Sequence, residues 1–292
     1  MKYIIFDLEW NQASDEISIL QDPVYLTGEI IEIGAVKLDE HFCPEDELRL
    51  FIKPQYYTKL HKRIVSLTGI RDKDLDEKGM PFPDAYDYFV KWCGDEYAFM
   101  TWSMSDMPML IDNMVLHGID VSEMPECYDI QRIFGREIMR SETKYSLDAA
   151  LDLLKENGDE SHDALNDAKN TAKICSHLEL EEYLDEYTSK VFGERPNGKK
   201  YESKWEVLND ASLSEFACPW CGQPVKCDQW IPVNGSTYIA YGRCLEGDEF
   251  LAQLSLEYHR KTECFAKRII FEMSDDLWEI YCDKKECVET KM

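Results

Sequence analysis

The chain opens on an apolar run, Tyr3-Ile4-Ile5-Phe6, that ends in Asp7-Leu8-Glu9. Strand side chains alternate with period two, so Asp7 and Glu9 leave the same face of a predicted first strand, about 7 Å apart along it. Residues 10–28 follow as a long polar connection with Asp22-Pro23 and Gly28 as turn markers. Glu29 to Leu38 reads as a second strand from its β-branched content, and Leu48 to Lys53 as a third, closed by Pro54. Three consecutive strands predict an antiparallel meander. Helical spacing then takes over, from Thr58 to Leu67 with Gly69 ending it, and from Pro83 to Cys93 with Gly94 ending it. A strand at Tyr97 to Trp102 leads into an amphipathic helix from Asp106 to His117-Gly118. A short strand ends at Tyr128-Asp129, Ile130 to Met139 is helical, Ser146 caps a helix to Leu154, and a long helix is predicted from Asp163 to about Tyr187. The alternation of strands and helices predicts an α/β fold.

Two carboxylates on one face of a buried strand end are unfavourable unless cations neutralise them, and oxygen-only ligands suit a hard ion such as Mg²⁺. The plainer alternative is a pair of solvated acids. Asp106 stands at a strand-to-helix junction, where an acid also stabilises a helix N-terminus. In Ser161-His162-Asp163-Ala164-Leu165-Asn166-Asp167, His162 and Asp167 would lie some 140° apart within one helix and could not share a site. With Asp163 as the cap, His162 falls on the loop ahead of the helix and can fold over the end that Asp167 approaches from the second turn. Together, Asp7, Glu9, Asp106 and Asp167 without ions would repel and raise one another's pKa values. With two divalent ions about 4 Å apart, Mg²⁺ or Mn²⁺, the same set is a phosphodiesterase centre. A histidine such as His162 is suited to accept the proton of the attacking water. Arg132, Arg136, Arg140 and Lys144 recur every four residues and would share a face if the helix persisted that far, either as a phosphate-tracking ridge or as a solvated face.

The 292 residues, 44% hydrophobic and 31% charged, describe a globular protein. The apolar runs are too short to span a bilayer and the opening meets acid too early for a signal peptide, so a cytoplasmic protein with no membrane partner is expected. The formal charge of −26 is divided unevenly, −22 over residues 1–189 and −4 over 190–292. A polyanionic substrate would therefore depend on bound cations and local basic patches, to which the nearly balanced C-terminal part can contribute.

Gly193-Glu194-Arg195-Pro196-Asn197-Gly198 reads as a break, which divides the chain into a domain over 1–190, a linker over 191–213 and a small β-rich domain over 214–292 with a hairpin turn at Asn234-Gly235. Seven of the eleven cysteines fall after residue 217. In a reducing compartment such crowding points to metal rather than disulfides. Cys218-Pro219-Trp220-Cys221-Gly222 has the form of a zinc knuckle, and Cys244 stands where a third ligand of a structural zinc belongs. Cys264, Cys282, Cys287 and His259 are the candidates for the fourth. A metal-free β domain with reduced core cysteines is the competing reading. Aromatic residues interleaved with Lys and Arg here can grip single strands, although a small core needs aromatics as well.

With these motifs in place, the sequence resembles the DEDDh branch of the DnaQ-like 3′-to-5′ exonucleases, which have a ribonuclease-H-like fold, a mixed central sheet flanked by helices. Phe6-Asp7-Leu8-Glu9 is similar to the family's first motif, Trp102-Ser103 through Asp106 to its second, and His162-Asp163-Ala164-Leu165-Asn166-Asp167-Ala168 to its third. The similarity covers residues 1 to about 180, and His162 to Ile174 with Lys144-Tyr145-Ser146-Leu147 most resembles the exonucleases that trim histone messenger, small interfering and ribosomal RNA ends. The resemblance implies that Asp7, Glu9, Asp106 and Asp167 ligate two metal ions, that His162 is the general base, and that Leu8 and the backbone after Glu9 contact the terminal nucleotide. Trp10 replaces the family's commoner small residue and would shape that fit. Single-stranded 3′ ends, RNA favoured, would be degraded to nucleoside 5′-monophosphates. A DNA-directed proofreading or trimming enzyme of the same fold, and a catalytically idle nucleic-acid or protein adaptor, are the other readings. Nothing in the pattern sets an oligomeric state.

Overall fold

The structure, a computed structural model, describes residues 1–12, 19–21, 24–26, 28–103, 105–121, 124–140, 143–184, 188–189, 191–193, 200–259 and 263–289. The chain divides into two compact units, the first formed by Met1–Ile19, Leu26–Ile119 and Pro125–Thr188, the second by Leu20–Tyr25, Asp120–Met124 and Ser189–Met292.

The N-terminal apolar run becomes β1 (Lys2–Asn11). Two short strands, β2 (Ile19–Gln21) and β3 (Val24–Leu26), pair with each other. The expected meander then forms, with β4 (Glu29–Leu38) antiparallel to β1 and β5 (Pro44–Phe51) antiparallel to β4. Next come α1 (Lys62–Thr68), α2 (Asp72–Lys78) and α3 (Phe82–Cys93), then β6 (Tyr97–Thr101) and α4 (Asp106–Leu116). They are followed by β7 (Cys127–Asp129), α5 (Ile130–Glu137), α6 (Leu147–Leu154), α7 (Ala164–Cys175), α8 (Leu180–Tyr183) and β8 (Thr188–Ser189). The six strands lie in the order β5-β4-β1-β6-β7-β8; β6 runs parallel to β1, and β7 parallel to β6, so the sheet is mixed. Its two faces follow from alternation along β1. Phe6 meets Phe99 and Phe89, the latter from α3, at ring separations of 4.8 and 6.0 Å. Ile5 joins Val36, Met100 and Tyr128 on the opposite face, where Phe134 of α5, Leu151 of α6 and Ala168 of α7 cover them. Covering both faces explains why β4 is buried almost throughout.

Three expected elements differ. The helix predicted from Thr58 begins at Lys62, because the Asn11 amide donates to the carbonyls of Tyr57 and Lys59, at 2.8 and 2.9 Å, and holds that stretch in another path. The long helix predicted to Tyr187 ends at Cys175; the N–H groups of His177 and Leu178 fold back to the carbonyls of Ile174 and Cys175 and turn Leu178 into the core. Residues 185–187 lie outside the described residues. The basic stripe is broken as well, since α5 stops at Glu137 and Arg140 adopts the left-handed region with φ 49°.

The second unit runs through β9 (Val191–Gly193), α9 (Lys204–Leu208), α10 (Ala211–Ser214), β10 (Glu215–Ala217), β11 (Pro224–Cys227), β12 (Ile231–Pro232), β13 (Thr237–Arg243), β14 (Glu249–His259), β15 (Glu263–Glu272) and α11 (Asp275–Glu289). The sheet order is β10-β11-β13-β14-β15-β9, with β12 beside β13. Much of the stretch expected as a linker belongs to this fold. β9 pairs with β15, and Tyr201, 1% exposed, bridges to Cys264 and donates its hydroxyl to Asp210 at 2.8 Å. The break itself, 194–199, lies outside the described residues. Tyr238 and Trp230 are core residues, whereas Trp205, Trp220 and Trp278 are exposed. Among the described residues no helix is long and apolar enough to cross a membrane.

Candidate active site

The end of β1 is where the acids meet. Asp7 and Glu9 share a face there, and their register partners on β4 are Gly34 and Glu32. Gly34 leaves room for a second chain segment. A Cβ at this position would fall well inside contact distance of the backbone of Ala164 and Leu165, so the first turn of α7 rests directly on β4. Asp163 caps α7, accepting from the Asn166 N–H at 3.0 Å. His162 precedes it on the loop, in the left-handed region with φ 65°. Asp167, one turn into the helix, accepts the His162 N–H at 3.0 Å through Oδ2. One ligand atom each of Glu9, His162 and Asp167 lies within 4.8 Å of the others. Asp106 enters from the start of α4, where its Oδ1 accepts the Leu8 N–H at 3.2 Å. The structure therefore brings together all five predicted acidic and histidine positions.

The electrostatics follow from this crowding. Burial, then the charges of Asp106, Asp167 and Glu9, hold the Asp7 carboxyl well above the usual carboxylate range. Burial followed by the neighbouring Glu32 pushes Glu9 up to about 8. Burial raises Asp106, opposed by the Leu8 N–H and the Ser105 hydroxyl, and raises Asp167 to about 6 against the His162 N–H. Such a set invites cations. Asp167 Oδ1 is buried with no hydrogen-bond partner among the described residues, an acceptor of the kind a divalent ion satisfies. Oxygen donors on four carboxylates fit Mg²⁺ or Mn²⁺. A cavity of about 380 Å³ opens beside His162, lined by Phe51, Leu67, Thr68, Lys78 and Ser161 among others.

A family model described as RNase T, exonuclease, matches residues 4–175. The chain belongs to the RNase T exonuclease family. Its motif set is that of a DEDDh-type 3′-to-5′ exonuclease. No curated protein matches the chain. Among solved structures it is similar to the nuclease domain of 3′hExo, a DEDDh family member, bound to rAMP, at 23% identity over 62% of this chain and 92% of that one, with TM-score 0.53. A 3′-exonuclease described in 3′-end specific recognition of histone mRNA stem-loop matches at 22% identity over 62% and 81%, with TM-score 0.53. Exonuclease I matches at 13% identity over 82% and 55%, with TM-score 0.51. At these identities the likeness is one of fold.

Leu8 and Trp10 are the residues expected at the substrate, and both lie on β1. The Leu8 side chain is 3% exposed and packs into the core, so what the residue offers the site is its N–H to Asp106. Trp10 is half-buried, and its ring lies against Gly28, close enough to fill the space of a Cβ there. Glu32, Arg49 and Gly34 were not anticipated as site residues. Glu32 is 1% exposed and titrates near 7, raised by burial; it forms an ion pair with Arg49 Nε at 3.1 Å and accepts from Ala164 N–H at 3.4 Å. Arg49 also pairs with Asp163 and so ties β5 to the cap of α7. An acid and a glycine two apart, Glu32 and Gly34, inside the otherwise apolar run from Ile30 to Val36 were the available signal.

In the second unit, Cys218, Cys221 and Cys244 come together as expected from the knuckle, and the fourth group beside them is Asp248. Cys264, on β15, is not in that cluster.

Proposed function

We propose that the protein hydrolyses the terminal phosphodiester of single-stranded nucleic acid from the 3′ end, releasing nucleoside 5′-monophosphates, with RNA favoured over DNA. The observation that carries this reading is the meeting of Asp7, Glu9, Asp106 and Asp167 with His162 at the end of β1. Two divalent ions held by the four carboxylates would supply a water acidified for attack and would neutralise charge on the phosphate. His162 sits on the exposed side of the cluster, free to accept the proton of that water, and its own N–H fixes Asp167. Leu8 N–H and Ser105 keep Asp106 oriented. Trp10, next after Glu9 on β1, would border the base of the terminal nucleotide. RNA preference is supported by the similarity of the third motif to RNA-end-trimming exonucleases and by a structural neighbour described with histone mRNA.

The second unit serves in this reading as an accessory domain that helps place substrate, built around a structural zinc held by Cys218, Cys221 and Cys244. Thiol ligands of that kind persist in a reducing compartment, which fits a cytoplasmic enzyme. The test is product analysis on matched 3′- and 5′-labelled RNA and DNA strands during a Mg²⁺ and Mn²⁺ titration. Stepwise shortening from the 3′ end, faster on RNA and abolished in Asp7→Asn, is expected. Faster DNA degradation would transfer the substrate assignment to DNA, and no cleavage at any ion concentration would refute the catalytic reading.

A further inference from the structure

The second unit places two tight turns side by side. The first, Cys218 to Gln223, joins β10 to β11 and is closed by Cys218 N–H to the Gln223 carbonyl at 2.7 Å, with Gly222 N–H donating to the Cys218 carbonyl at 2.9 Å. The second, Cys244 to Asp248, joins β13 to β14 and is closed by Cys244 N–H to the Asp248 carbonyl at 2.9 Å. Each contains a glycine in the left-handed region, Gly222 at φ 71° and Gly247 at φ 108°, next to a residue of the cluster. Because β11 and β13 pair antiparallel with Lys226 opposite Arg243, the start of one and the end of the other put both turns at the same end of the sheet.

At that end the three sulfurs and the Asp248 carboxylate lie within 4.8 Å of one another. Asp248 Oδ2 stands 3.3 Å from Cys218 Sγ and 3.0 Å from Cys244 Sγ, and Asp248 N–H donates to Cys244 Sγ at 3.2 Å. A tetrahedral ion with bonds of about 2.0 to 2.3 Å separates neighbouring ligand atoms by roughly 3.5 Å, close to these spacings. The other candidates are elsewhere. Cys264 pairs with Tyr258, ten residues along β14 from Asp248 and about 30 Å away at strand rise. His259 is one position farther, opposite Glu263. Cys282 and Cys287 are exposed on α11 and are not in the cluster.

We propose that Asp248 is the fourth ligand of a Cys₃Asp zinc site, with a C-x₂-C turn facing a C-x₃-D turn. This rests on the reading that the second unit holds zinc, and it identifies the ligand set. The carboxylate stands where a ribbon domain commonly has a cysteine, and it closes the tetrahedron from within the turn that carries Cys244. Zinc is favoured over a harder ion because three of the four donors are thiolates.

The test is metal content of the purified full chain by mass spectrometry, zinc affinity by competition with a chromophoric chelator, and the absorption spectrum after replacement by Co²⁺. Wild type is expected to carry one zinc and to give a tetrahedral cobalt spectrum with charge-transfer intensity for three thiolates. Asp248→Ala is expected to weaken zinc binding by at least about 10-fold. Asp248→Cys, which keeps four ligands, is expected to retain the ion and to gain about a third in charge-transfer intensity. Cys264→Ser and Cys282→Ser are expected to leave both readouts unchanged. Unaltered zinc affinity and cobalt spectrum in Asp248→Ala, or loss of zinc in either serine variant, would overturn the ligand assignment while zinc itself stands. A wild-type chain that neither contains zinc nor takes up cobalt, or one that carries iron instead, would overturn the zinc reading beneath it.

Discussion

Gly34→Ala perturbs the contact on which the placement of Asp167 and His162 depends. The added carbon would meet the backbone of Ala164 and Leu165, which cannot rotate away as a side-chain tip can. Ordinary contact at this carbon begins near 3.4 Å, so β4 and α7 must part by roughly 1 Å or more, a distortion expected to cost about 1–3 kcal/mol. For a unit of this size that is a fall in Tm of about 2–12 °C. The consequence for chemistry is larger than for stability. Metal sites tolerate ligand displacements of only about 0.2 Å, and a misplacement near 1 Å can cost about 100-fold in rate. The Asp163 cap, tied to Arg49 on β5, would transmit the shift to both neighbours of the cap. The assay is single-turnover cleavage of 3′-labelled single strands at a temperature where the variant is fully folded by circular dichroism, across a Mn²⁺ titration. The expected result is a rate reduced about 100-fold, only partly restored by more ion. A folded Gly34→Ala enzyme with wild-type rate and ion dependence would refute the argument that this glycine sets the site.

Other expectations follow from the same geometry. His162→Ala should lower kcat by about 10²- to 10⁴-fold while leaving Mn²⁺ affinity within a few-fold, measured by calorimetry, and a lost ion affinity would make the residue a ligand instead of a base. Glu9 titrates near 8 and Asp167 near 6 in the ion-free protein, against about 4 unfolded, so the folded form holds extra protons between about pH 4 and 8 and these groups reduce its stability as pH rises through that window. Added Mg²⁺ should therefore raise Tm more at pH 8.5 than at pH 5.5, and an equal shift at both would contradict it. Trp10→Ala should change KM and terminal-base preference with little loss of kcat; if both stay fixed, the ring serves packing against Gly28 alone.

How much of this was legible in the sequence depended on the range of the interaction. Asp7 and Glu9 were placed by alternation within one strand, and the cap at Asp163 with His162 ahead of it was placed by geometry within one helical turn. The convergence of those segments was implied by the family resemblance, not by any local pattern. Glu32, Arg49 and Gly34 escaped because each acts across the sheet: a glycine in a strand does not announce which backbone will lie on it, and an arginine on β5 does not show that it joins Glu32 to the cap of α7. Residues 200–213 were read as connection because their elements are short, yet Tyr201 is fixed by a bridge to Cys264, 63 positions away in a strand that the local pattern cannot see. Asp248 was not among the fourth-ligand candidates, which were cysteines and His259, because one acid among the 58 of this chain carries no local signal for zinc.

The two clusters differ in what an absent ion would do. In the first unit the sheet is covered on both faces by apolar packing that does not include the acids, and the carboxyls can carry protons in place of metal, as the values near 8 and 6 indicate. Removal of Mg²⁺ or Mn²⁺ should then abolish cleavage without unfolding. In the second unit Cys218 and Cys244 are themselves among the core residues, packed with Phe216, Val225 and Phe250. There the ion would stabilise the fold directly, because the turns that supply its ligands are also the ends of the strands that carry the core.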